Sequence, residues 1–292
     1  MMHMTHNRPL REEELPAAVD LFLSAVGEMN VRHNINAPLP PRAGVAIAYR
    51  HIWRTGIFYA AEVDGRIAAI CHAVVRDGLW FLSGFWAVPE LKGQHIGGPL
   101  LRGVWEEGAR RGAETFFVWS SVDETAMASY FKVGMLPGYQ MLTFAGTPEG
   151  LPNAPAGYEV EPLTLMAACE IDWQIRATRR EIDHRFWMGE AAMQGRQIRR
   201  GESVVGYFYF KGEAIGPAAW LEPEAATALL TMACRAASAE SATISLRVPG
   251  VNHDAIRFAL QLGLRYMSFA HLLTSAPFGR MKQYLASGPA LF

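Results

Sequence analysis

The sequence predicts two α/β domains in tandem (α+β in their mixture of elements), each a mixed, mostly antiparallel sheet flanked by helices. Three observations predict it. In the first half, strands and helices follow in an order that closes with a βαβ unit. A Pro- and Gly-rich stretch, GTPEGLPNAPAG, then interrupts the chain, with residues 147–157 as a linker. Finally, Asp123, Ala126, Tyr130 and Gly134 of the first half are matched by Asn252, Ala255, Ala259 and Gly263, all at an offset of 129. A repeat at a domain-sized period points to two similar units, here residues 1–146 and 158–292.

Taken in order, Arg8-Pro9-Leu10 leads into REEELPAAVDLFLSAV, where Leu15, Val19, Phe22 and Val26 recur at helical spacing. Acidic residues fill its first turn, where the helix dipole favours them. Prolines between Asn36 and Pro41 precede a second helix, Arg42 to Arg54. Ile57 to Val63 and Arg66 to Val75 are β-rich runs around Asp64-Gly65, a tight-turn pair. Arg76-Asp77-Gly78 turns the chain into a strand from Leu79 to Val88. Beyond a short loop, Leu100, Leu101, Val104, Trp105 and Gly108 share one helical face. A strand at Thr115 to Ser121, a short helix at Asp123 to Gly134 and a strand at Tyr139 to Ala145 complete the unit. A hairpin followed by a βαβ unit implies a mixed sheet. In the second half, GYEVEPLTLMAACEIDWQI repeats the opening strand, Pro-Leu and helix. Ser203 to Phe210 and Ala214 to Leu221 form a hairpin, Glu224 to Ala237 a helix and Thr243 to Val248 a strand.

Composition bounds the function. The chain has 292 residues, half of them apolar, with 27 basic and 28 acidic residues and a net charge of −1. That balance argues against nucleic acid, which would demand a basic patch. No apolar run approaches the ~20 residues of a membrane span, and MMHMTHNRPLREEEL has no apolar core for a secretion signal. Cys71, Cys169 and Cys234 stand singly in apolar contexts, as free thiols of a reducing compartment rather than metal ligands or disulfides. The expectation is a cytoplasmic protein without membrane, nucleic acid or metal.

The loop between the strand ending at Val88 and the next helix carries Gly93, Gly97 and Gly98. The first amides of a helix lack intrahelical partners, and the dipole adds positive charge, so strand, glycine loop and helix make an anion site suited to a pyrophosphate. An ordinary turn with glycines for packing is the other reading. No Gly-Lys-Ser/Thr follows, and no GxGxxG is present.

The segment Lys92-Gly93-Gln94-His95-Ile96-Gly97 resembles the acetyl-CoA loop, Arg/Gln-x-x-Gly-x-Gly/Ala, of the GCN5-related N-acetyltransferase (GNAT) superfamily. Lys92 replaces the Arg/Gln and His95 the first glycine. A second motif, Asn-x-x-Ala-x-x-Leu-Tyr-x-Lys-x-Gly-Phe, is matched by Asp123, Ala126, Ser129, Tyr130, Lys132, Gly134 and Met135. The resemblance covers Arg8 to Ala145 directly and the second half by fold and repeat. It implies an N-acetyltransferase domain followed by a degenerate copy. It also implies acetyl-CoA held by Phe85, Trp86, Ala87, Val88, Lys92, Gly93, Gln94, His95, Ile96, Gly97, Gly98 and Asp123.

Direct attack of an amine on a thioester needs a deprotonated amine, a polarised carbonyl and a proton for the departing sulfur. By resemblance, strand four splays from strand five, a backbone amide near Ala87 polarises the carbonyl, and Tyr130 is the catalytic acid. A core tyrosine is the plain reading of Tyr130 without the motif. Glu28, Glu62 and His72 are candidate bases, with His72 better read as a satisfied core histidine. The acceptor is expected to be a small-molecule or peptide amine. The alternatives are a non-catalytic acyl-CoA-binding regulatory module, prompted by His95 and Asp123, and a transferase for longer acyl groups. The second half enters its helix after Glu222-Pro223 without a glycine loop and has Ala259 at the tyrosine position. It is left with shaping the acceptor site or self-association as a homodimer. Its Asp172, Arg179 and Arg180 either face a cleft or form a solvated helix face.

Overall fold

The computed structural model describes residues 5–91 and 96–292. The chain forms two compact units, Met1–Leu136 with Leu273–Ala276, and Pro137–Leu272 with Pro277–Phe292. Among the described residues, no helix is long and apolar enough to cross a membrane.

The first unit holds β1 (Thr5–Pro9), α1 (Leu15–Arg32), α2 (Arg42–Thr55), β2 (Ile57–Val63), β3 (Arg66–Arg76), β4 (Leu79–Ala87), α3 (Gly97–Arg110), β5 (Thr115–Ser120) and α4 (Glu124–Lys132). Its strands lie in the order β1-β2-β3-β4-β5, antiparallel except for the parallel pair β4–β5. The Asp64-Gly65 turn takes positive φ at both residues, 50° and 76°, as a two-residue hairpin requires. Strand alternation then sorts side chains onto two faces. Cys71, Leu82 and Phe116 pack with Leu100, Val104 and Tyr130 under α3 and α4. On the other face, Tyr49 of α2 meets His72 and Phe58, and Phe22 of α1 meets Trp86. Each fully buried leucine contributes about 1.5–3 kcal/mol to holding a helix on the sheet.

The second unit holds β6 (Leu136–Gly146), β7 (Tyr158–Pro162), α5 (Leu165–Arg176), α6 (Glu181–Met188), β8 (Gln194–Arg200), β9 (Ser203–Lys211), β10 (Ala214–Trp220), α7 (Ala225–Ser238), β11 (Ile244–Pro249), α8 (His253–Gln261), β12 (Arg265–Thr274) and β13 (Tyr284–Leu285). The strand order is β12-β6-β11-β10-β9-β8-β7, with β13 paired to β10. Leu229, Leu230, Ala233 and Ala237 of α7 pack on Phe208, Trp220 and Leu246.

The units do not divide at the expected linker. Residues 141–146 of β6 pair antiparallel with Ile244–Pro249 of β11, so this strand, read as closing the first sheet, belongs to the second unit. Conversely, Ser275 donates its N–H to Phe116 O (2.8 Å) and accepts from Phe116 N (2.9 Å), which ties Leu273–Ala276 to β5. Backbone pairing between distant segments set this division, and local composition does not report it.

Candidate active site

The site is built where β4 ends and α3 begins. α3 starts at Gly97, and among the described residues no side chain caps its first amides, which offers donors and the positive end of the dipole to an anion. A Cβ on Gly97 would stand 2.6 Å from Cζ of Phe85, whereas one on Gly98 would meet nothing within 4 Å. Gly97 therefore lets the helix end approach the Phe85 ring, and Gly98 faces open space. Ile96, buried, flanks the helix start. Lys92, Gly93, Gln94 and His95 lie outside the described residues.

β4 pairs with β5 from Leu79↔Thr115 to Leu82↔Val118, where their register ends. On its other edge β4 stays paired with β3 as far as Ala69↔Ala87. The Val88 N–H donates to Ala68 O at 2.8 Å. Amides alternate along a strand, so Trp86 N–H also faces β3, while Phe85 and Ala87 N–H face the open edge. The four residues Phe85 to Val88 are thus split. Two offer amides to the gap, and Val88 spends its own within the sheet.

Tyr130 of α4 lies on the same face as Phe85, with ring centres 6.2 Å apart, and is 5 % exposed. Burial, with the negative forms of Cys71 and Asp123 nearby, pushes its phenol well above the usual value. It therefore keeps its proton across the working pH range, as a proton donor must. Cys71 shares this face, and burial pushes its thiol up too. The signal that could have found it is strand register, since Cys71 stands opposite Phe85.

Asp123 caps α4 by accepting from Ala126 N at 3.0 Å, and it also accepts from Arg32 of α1 at 2.5 Å. The repeated motif has a local cause. Asn252 accepts from Ala255 N at 3.1 Å in the same way, and Gly134 and Gly263 end the two helices at φ 96° and 73°.

The candidate bases are dispersed. Glu62 accepts two bonds from Arg8 (3.0 and 2.8 Å), which also holds Glu14, in an ion-pair network joining β1 to β2. Glu28 lies on α1, 3.7 Å from Arg32. His72 is 1 % exposed, and burial lowers its pKa to about 3. It is a core histidine but not a satisfied one, because neither ring nitrogen has a hydrogen-bond partner among the described residues. Phe85, Ala87, Gly97 and Tyr130 are brought together on one side of β4, and Glu62 is not.

Residues 32–135, just over a third of the chain, match the model of the Acetyltransferase (GNAT) family. This segment is similar to that family. The fold extends to the whole chain. A putative acetyltransferase from Pyrococcus horikoshii superposes with a TM-score of 0.79 at 15 % identity, over 99 % of this chain and 96 % of its own. A tandem GNAT protein from the clavulanic acid biosynthesis pathway follows at 0.64 and 14 %, covering 94 % and 99 %. A GNAT from Sphaerobacter thermophilus gives 0.59 and 14 %, covering 96 % and 98 %. No curated protein matches the sequence. The chain is thus a mixed α/β tandem of GNAT folds, and acyl transfer is the chemistry of that family.

The second GNAT fold closes its own gap. β10 pairs with β11 only at Ala214↔Ser245 and Ile215↔Leu246. Beyond that, β13 pairs with β10 at Ala218↔Leu285 and Ala219↔Tyr284, and Ala286 N–H donates to Arg247 O on β11 at 3.0 Å. The chain's own strand fills the wedge, and Ala259, fully buried, stands where Tyr130 does in the first unit. The solvated reading of Asp172 and Arg180 is corrected here, since they are 0 % and 3 % exposed. Asp172 accepts from Arg180, from Tyr207 Oη (2.5 Å) and from His184 Nε2 (2.9 Å), which offsets the cost of burying it. Arg179 is exposed over the Trp173 ring, 4.3 Å away.

Proposed function

We propose that the first unit transfers an acetyl group from acetyl-CoA to the amine of a small molecule or peptide, by direct attack and in the cytoplasm. The observation that carries this reading is the open edge of β4, with the Phe85 and Ala87 amides between the uncapped end of α3 and the buried Tyr130. These residues fit acetyl-CoA: the α3 amides beside Gly97 and Gly98 suit its pyrophosphate, and the open edge suits an extended arm. Acetyl-CoA supplies an activated acetyl thioester. Ala87 N–H donates to the carbonyl oxygen and stabilises negative charge that builds there. Tyr130 gives its proton to the departing sulfur. Phe85, against Gly97, walls the thioester from water. The second unit, its wedge filled, takes no acetyl-CoA.

Calorimetry of the intact chain with acetyl-CoA tests this, together with thiol release over a panel of amines. One site per chain, with amine-dependent thiol release, is the expected result. No binding removes the reading. Binding without turnover on any amine supports a non-catalytic acyl-CoA module, and faster turnover with a longer acyl thioester supports a different donor.

A further inference from the structure

Strand β4 carries one residue more than its ladder with β3 can pair. His72 stands opposite Gly84, while the next residue, Ala73, stands opposite Leu82. Ser83 is therefore a bulge, and a one-residue slip turns every later side chain to the other face. Gly84 lies on the His72 side, where a Cβ would stand 2.4 Å from Nε2 of that ring. Phe85 and Ala87 accordingly join Trp80 and Leu82 in the core under α3. Unbroken alternation would have pointed Phe85 at α1 and α2 instead.

The bulge delivers this ring to the place where β4 and β5 have just parted, since their pairing ends at Leu82↔Val118. Below it β3 offers only short side chains: Cys71 opposite Phe85, with Ala69 and Ala73 on either side. The ring is pinned from two directions. A Cβ on Gly97 at the start of α3 would meet its Cζ at 2.6 Å, and the Tyr130 ring centre is 6.2 Å away. Cys71, Leu82, Val118 and Tyr130 are each at most 5 % exposed, yet Phe85 is only half-buried. A large ring that is held by its neighbours and still partly open acts as a wall.

In the acyl-transfer reading, on which this inference rests, the sulfur lies by Tyr130 and the carbonyl oxygen by Ala87 N–H. The acyl carbon is bonded to both atoms, so its chain begins beside the Phe85 ring. We propose that Phe85 sets the length of the acyl group, admitting acetyl and excluding butyryl and longer chains. Extra methylenes would have to displace a ring that α3 and Tyr130 hold in place, and packed neighbours yield little. Phe85 acts on the donor's size and takes no part in moving the proton.

The test titrates the intact chain and two variants with acetyl-CoA and with butyryl-CoA in the calorimeter. The wild type is expected to bind acetyl-CoA at least about tenfold more tightly than butyryl-CoA. Phe85→Ala removes the wall, and the preference is expected to shrink to about threefold or less, or to reverse. Phe85→Leu keeps most of the apolar bulk, so it retains the fold even if Phe85→Ala does not. It is expected to lower the ratio of the two affinities by at least about threefold. The ratio is the readout because a merely structural loss weakens both thioesters alike. Equal binding of the two by the wild type overturns the proposal and leaves the acyl-transfer reading standing. A ratio unchanged in the variants does the same, whereas no binding of acetyl-CoA removes both.

Discussion

Tyr130→Phe removes one oxygen from the first unit and separates chemistry from folding. The ring stays, so the packing under α3 and α4 stays, whereas truncation to Ala would cost about 3–5 kcal/mol in cavity formation and confuse the result. Loss of one phenol oxygen with the ring retained moves stability by about 1 kcal/mol or less. If Tyr130 delivers the proton to sulfur, kcat falls about 10²–10⁴-fold, a barrier increase of roughly 2.7–5.4 kcal/mol. Acetyl-CoA affinity measured by calorimetry is unchanged. The sign of the pH effect follows from the raised phenol pKa: the protonated form is active, so wild-type kcat holds through pH about 10, where an ordinary phenol would already be ionising. Thiol release followed from pH 6 to 10 provides both readouts. A Tyr130→Phe enzyme with wild-type kcat refutes the assignment.

Three more outcomes follow. Ala87→Pro deletes an amide that faces the open edge and takes no part in the β3 ladder, so kcat should fall about 10²–10³-fold with Tm nearly unchanged; a collapse of Tm would show that this amide is bonded within the sheet. Asn252→Ala should cost about 2–4 kcal/mol in denaturant unfolding, because Asn252 both caps α8 and donates to Tyr284 O at 3.0 Å. Asp123→Ala, which loses a cap and a half-exposed ion pair, should cost about 1 kcal/mol, and equal losses would defeat the distinction. Hydrogen bonds from Arg8 lower the Glu14 pKa from 4.5 to about 2. Its stabilisation is present above the unfolded value and is lost as pH falls from about 4.5 to about 2. With solvent screening this amounts to about 1–2 kcal/mol, and Glu14→Gln should flatten that part of the pH–stability curve.

Sequence by itself determined what depends on near neighbours. The Asp64-Gly65 turn needs two positive φ angles, the Asp123 and Asn252 caps serve amides three residues on, and helical spacing of apolar residues exposes α1 and α3. Tyr130 was legible because motif and helix phase agree, and Phe85 and Ala87 because they follow a strand into a glycine loop. Tertiary structure decided what depends on partners distant in the chain. Pairing of β6 with β11 moved a strand across the expected boundary, and β13 closed the second wedge, although the paired Ala219 and Tyr284 lie 65 residues apart in sequence. It also decided which amides of Phe85 to Val88 stay open, since that rests on which edge β3 occupies. Asp172, Arg179 and Arg180 read as a cleft-facing or solvated helix face, and only the fold carried Asp172 and Arg180 into the interior. A polar side chain's burial is set by what packs over it, and no local pattern encodes that.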